Sequence, residues 1–66
     1  MARWQERPQV GSSVWTAGSG NGEVINIDYE NQLVLVYFSY KKITETIEMD
    51  DFFGCLDEKL NQWVLT

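Results

Sequence analysis

No stretch of this chain repeats its apolar residues at a helical period; instead Gly, Ser and Asn interrupt short apolar segments along its length. That spacing describes an all-β meander of short strands. The densest segment, Leu33 to Tyr40, is apolar on both faces through Phe38, the pattern of a strand buried on both sides within a sheet or barrel. Before it, Glu23 to Tyr29 sets Ile25, Ile27 and Tyr29 against Val24, Asn26 and Asp28, the alternation of a half-buried strand. After it, Ile43 to Met49 places Ile43, Glu45, Ile47 and Met49 on one face and Thr44, Thr46 and Glu48 on the other, towards solvent. Glu45 interrupts the apolar side. An unpaired buried carboxylate is costly, so the expectation is a place at a rim. A first strand over Gln9 to Thr16 takes apolar weight from Val10, Val14 and Trp15, and a short last strand covers Gln62 to Leu65. A helix over Leu56 to Trp63 competes for that tail.

The connections have their own chemistry. Ala17 to Gly22 places three glycines in six residues, which marks positive φ or close backbone approach. Glu30-Asn31-Gln32 is a short polar turn in which Asn31 tolerates a left-handed conformation. Ser39 to Lys42 makes the next turn. Met49 to Gly54 predicts one tight helical turn, capped by Asp50, with Asp51 near its N-terminus and Gly54 ending it. Phe52 and Phe53 would then plug the open end of a barrel. Five short strands with a single helical turn before the last describe a small five-stranded SH3-like barrel, in which closure removes most of the exposed edge. Residues 1–8 are expected to form a flexible N-terminal arm and residues 9–66 a single domain.

Gly11-Ser12-Ser13-Val14-Trp15, then Gly20-Asn21-Gly22-Glu23-Val24 and Ile27-Asp28, form a frame. It resembles the Tudor-like or KOW-like modules at the C-termini of some bacterial DNA-repair helicases. It is also similar to the RNA-polymerase-interacting domain of CarD-type transcription regulators. Leu33 to Phe38 fills the slot of their apolar strand, and Asp50 to Phe53 that of the acidic-aromatic turn that often follows it. The resemblance covers roughly residues 10–53. It implies an SH3-like (Tudor/KOW-like) barrel and docking on transcription or repair machinery. Where those modules carry His-Pro or Tyr-Pro after the first strand, this chain has Thr16-Ala17, and its tail from Cys55 to Thr66 has no counterpart.

Size and composition narrow the chemistry. Sixty-six residues allow one small domain, and such a chain buries only about 60% of its unfolded surface. The absence of histidine removes the commonest general base and metal ligand. A single cysteine, Cys55, excludes an intrachain disulfide and a Cys-x-x-Cys pair, and no Lys, Arg or His stands near it in sequence to activate the thiol. No nucleophile–base pair or phosphate loop is evident: a strand, not a helix, follows Gly18-Ser19-Gly20-Asn21-Gly22. The expectation is therefore no enzyme, no catalytic residue, no cofactor and no metal site. Net charge is −5, and the whole excess lies in residues 43–66, where Glu45, Glu48, Asp50, Asp51, Asp57 and Glu58 face Lys59 alone. Such an acidic face disfavours nucleic acid. Residues 1–9 lack the apolar core of a signal peptide, and Leu33 to Phe38 is too short to cross a bilayer, so a cytoplasmic protein without membrane contact is expected.

Nine aromatic side chains cannot all be central in so small a barrel, because Val24, Ile25, Ile27, Leu33, Val34, Leu35, Val36, Ile47 and Leu56 compete for the same volume. Trp15, Tyr29 and Tyr40 adjoin loops, where SH3-like modules keep ligand grooves, and exposed aromatics are typical interface anchors. Glu48, Asp50 and Asp51 could supply one acidic wall. These six residues are the candidate partner-binding set, and a protein the expected partner. The leading reading is a non-enzymatic protein-interaction module docking on a larger machine. The alternatives are a KOW-type nucleic-acid-binding module, with Tyr40, Lys41 and Lys42 as contacts, and an acidic inhibitor or DNA mimic.

Overall fold

A computed structural model describes residues 7–65. It contains six strands, β1 (Ser13–Thr16), β2 (Gly20–Asp28), β3 (Leu33–Phe38), β4 (Ile43–Glu48), β5 (Leu56–Asp57) and β6 (Gln62–Leu65), with one 3-10 turn, Met49–Phe52, after β4. They pair as a single mixed sheet in the order β4-β3-β2-β1-β6-β5. Every neighbouring pair is antiparallel except β1 and β6, which run parallel with Val14 opposite Trp63. The all-β expectation holds, but the strand count differs, because β5 was not anticipated. Pairing does not join β4 to β5, so the hydrogen-bonded sheet is open. The competing helix over Leu56 to Trp63 does not form. Asp57 Oδ1 accepts hydrogen bonds from the amides of Lys59 and Leu60 at 3.0 and 3.1 Å, and Asn61 takes φ 53°, which turns the tail into a hairpin.

Val14, Val24, Val34, Val36, Phe38, Phe52, Trp63 and Leu65 form one buried cluster on the inner face. The rings of Phe52 and Trp63 meet edge to face, 5.6 Å apart at 77°. Gly22 lies under this core: a Cβ there would stand 2.7 Å from Phe38 Cδ1. The missing side chain lets the Phe38 ring settle against the β2 backbone.

Several local expectations change. In β2 the alternation slips: Val24 pairs with Val36 and Asn26 with Leu35, leaving Ile25 as the extra residue of a β-bulge. Val24 is therefore fully buried, while Ile25 is 46% exposed. The first strand is shorter than Gln9 to Thr16. Ser12 donates to the Gln9 carbonyl at 2.8 Å, the Gln9 amide donates to Ser12 Oγ at 2.9 Å, and Gly11 takes φ 95°, so this segment is a turn. Residues 1–6 of the expected arm lie outside the described residues, and Pro8, its last residue, is fully buried. Gln32 at φ 56°, not Asn31, adopts the left-handed conformation between β2 and β3. The 3-10 turn begins after an extended Glu48 with no side-chain cap, so Asp50 lies within the turn and does not cap it. Phe52 is buried and Phe53 exposed. Successive residues of a three-residue-per-turn helix point about 120° apart, so one face can hold only one of them.

Glu45 does face inward, and it is half-buried. Its Oε2 accepts a 2.9 Å hydrogen bond from Oγ of buried Ser19, whose own amide donates to Thr16 Oγ1 at 3.0 Å. The carboxylate thus has a partner, and the β1–β2 turn is drawn towards β4. In a flat sheet β2 and β4 are two strand spacings apart, about 10 Å.

Candidate functional site

Consecutive hairpin turns of a meander must fall at opposite ends of the sheet. The turn carrying Tyr29 follows β2 and the turn carrying Tyr40 follows β3, so the six residues of β3 separate them, about 20 Å at the usual rise per residue. Tyr29 is 66% exposed and Tyr40 87% exposed, but they stand at opposite ends of β3 rather than side by side. Glu48, Asp50 and Asp51 are exposed and belong with the Tyr29 end, where Glu48 pairs opposite Leu33 and the Met49 amide donates to the Gln32 carbonyl at 2.9 Å. Trp15 lies at the Tyr40 end of the sheet, opposite Asn21 and one step beyond the Gly22–Phe38 pair. It is half-buried in β1, between Asn21 and Val64, on the face away from the core.

That outer face carries the residues that sequence reasoning missed. The register places Leu33, Leu35 and Tyr37 on the outer side of β3, opposite in sense to Val34, Val36 and Phe38. Beside them stand Glu23, Asn26 and Asp28 of β2 and Thr44, Thr46 and Glu48 of β4. The result is an apolar ridge between two rows that are polar except at the exposed bulge residue Ile25. Leu33 and Leu35 are half-buried and Tyr37 is 37% exposed. No described element packs over them as a second layer. The continuous apolar run 33–38 was the available signal, but it was read as burial on both faces.

Compared with protein-family models, curated proteins and solved structures, the chain shows no match.

Two concave surfaces lie at the ends of β3. At the Tyr29 end, Arg7, Pro8, Gln32, Met49, Asp50, Phe52 and Phe53 line a cleft of about 190 Å³. At the Tyr40 end, an open depression of about 520 Å³ runs between the 17–21 loop and Ser39-Tyr40. No group of three or more His, Cys, Asp or Glu side chains gathers as a metal site among the described residues. Cys55 is half-buried, its Sγ 3.3 Å from the Asp51 carbonyl oxygen. At the Tyr29 turn, the side chain and backbone amides of Asn31 donate to the Asp28 carboxylate at 2.8 and 3.1 Å and hold its pKa below the ordinary value. This bond pattern shapes the turn that presents Tyr29.

Proposed function

We propose that this chain is a non-enzymatic protein-interaction module of SH3-like barrel form, an accessory protein docking on a larger assembly such as transcription or repair machinery. Two links across the inner face support the barrel. Ser19 to Glu45 joins the β1–β2 turn to β4, and Phe52 to Trp63 joins the element after β4 to β6. Together they curl the open sheet around one core.

The observation that carries the interaction reading is the outer ridge of β3. Antiparallel sheets that face water on one side normally show polar residues there. Here Leu33, Leu35 and Tyr37 stand in a line between polar rows, the apolar centre and polar rim of an interface. Tyr29 and Tyr40 stand beyond its two ends, so an extended partner element following β3 would meet all five side chains. Glu48 contributes to its rim and steers encounter, while Asp50 and Asp51 extend the acidic field beyond it.

The test uses a photo-reactive phenylalanine analogue in place of Tyr37 and, as a control, in place of Lys59. A specific partner should cross-link from position 37 and not from 59. Tyr37→Ala should weaken its binding at least tenfold, about 1.4 kcal/mol. A Tyr37→Ala protein that folds normally and binds the captured partner like wild type would remove the ridge from consideration.

A further inference from the structure

The cleft at the Tyr29 end holds about 190 Å³, less than the roughly 300–1,000 Å³ of small-molecule sites. Its size suits a side chain. Buried Phe52, half-buried Met49 and exposed Phe53 make its apolar part. Asp50 is in its wall, Asp51 follows along the same turn, Glu48 precedes Met49, and Glu30 shares the turn of Gln32. Arg7 is the one cationic residue among those that line it, against these four carboxylates. The complementary group is an aromatic or aliphatic side chain carried next to cations.

The chain displays such a group at its other end. Tyr40 is 87% exposed, Lys41 and Lys42 beside it are exposed, and no acidic residue occurs from Tyr37 to Thr44. Lys42 holds φ 58° and its amide donates to the Phe38 carbonyl at 2.7 Å, so the tip has a set shape. The length of β3 separates this tip from the cleft of its own chain, about 20 Å. We propose that the Tyr40-Lys41-Lys42 tip of one copy docks in the cleft between Pro8 and Phe53 of a second copy. Tyr40 enters against Met49 and Phe53, and the lysines face Asp50 and Asp51.

The two surfaces differ, so the contact is heterologous. Joined head to tail, each added copy leaves one free tip and one free cleft, which generates a ring of three or more where the rotation closes and an open series where it does not. A net charge of −5 opposes assembly, but that repulsion is spread over the molecule and screened beyond about 8 Å at physiological ionic strength. An interface under about 1,000 Å² is weak and transient. This contact shares Tyr40 with the proposed partner surface but does not use Leu33, Leu35 or Tyr37, so Tyr37→Ala should weaken partner binding and leave self-association unchanged.

Sedimentation velocity of the full chain from micromolar to millimolar concentration provides the test. Wild type should grow with concentration past the dimer. Lys41→Glu with Lys42→Glu should remain monomeric under those conditions, as should Asp50→Lys with Asp51→Lys, both with wild-type circular dichroism. Mixed, these two proteins pair the intact tip of one with the intact cleft of the other, and the reversed tip with the reversed cleft, so association should return. Tyr40→Ser removes the anchor without changing charge and should weaken association at least tenfold. If the lysine substitutions at 50 and 51 prevent folding, Asp50→Asn with Asp51→Asn replaces them and should also weaken association. A wild type that stays monomeric, or that stops at a dimer, overturns the proposal. So does a mixture that stays monomeric, or a Tyr40→Ser protein that associates like wild type.

Discussion

A methyl group at position 22 would press on Phe38 and Val36, two side chains that are themselves fully buried and have nowhere to move. Gly22→Ala should therefore destabilise the fold by about 1–3 kcal/mol, the range for overpacking a core. The same change combined with Phe38→Leu should cost less than the sum of the two alone, a non-additivity that urea midpoints would resolve. Asp28 offers a titratable counterpart. Asn31 lowers its pKa in the fold from an ordinary 3.8. A depressed carboxylate pKa contributes stability that is present above the unfolded value and lost as pH falls through the folded one. The contribution should thus fade below about pH 4, and Asn31→Ala should remove it. An NMR titration of the Asp28 carboxyl would show its midpoint rising in that variant. In both cases the sequence named the residue without its role. Gly22 was one loop glycine among three, and Asn31 was expected to bend the backbone where it instead holds a carboxylate.

Three connections, 29–32, 39–42 and 58–61, each span four residues and end on a positive φ, at Gln32, Lys42 and Asn61. For a residue other than Gly, Asn or Asp that conformation costs roughly 1–2 kcal/mol. Gln32→Gly and Lys42→Gly should each raise stability by about 0.5–1 kcal/mol, after the added freedom of glycine in the unfolded chain is set against the relief. Asn61→Gly should change little. At this chain length 1 kcal/mol corresponds to about 4–8 °C in Tm, so thermal melts suffice. Strands β3, β4 and β6 were legible because their periodicity is local. The bulge at Ile25 was not: an extra residue reverses every later side chain, and only the pairing with β3 reveals it. The two-residue β5 carries too short a pattern to register on its own.

Among the described residues, the buried Val, Leu, Phe and Trp side chains belong to one cluster, with no second core to hold a damaged molecule together. Val36→Ala and Val34→Ala should each cost on the order of 2–3 kcal/mol, a large share of the total for a domain this size. Their urea transitions should move to lower midpoint with unchanged slope, a single cooperative unfolding. Topology beyond the hairpins was illegible because the pairing of β1 with β6 joins residues nearly fifty positions apart, such as Val14 and Trp63. The candidate site suffered for the same reason. Tyr29 and Tyr40 each looked like a loop anchor, and only the alternation of turns between the two ends of a meander separates them. Their acidic companions follow the chain to one end, and the lysines to the other.

That pairing also dictates the order in which the molecule can come into being. Each hairpin can form as soon as its two strands have left the ribosome. The centre of the sheet cannot, because β1 waits for β6 on its second side. Until residue 65 emerges, Val14 and Phe52 lack Trp63, and the inner face stays wet. Synthesis proceeds at about 5–20 residues per second, so the nascent chain spends seconds as a curled meander with one edge of β1 open. However early its hairpins form, the core of this sheet closes only when β6 arrives beside β1.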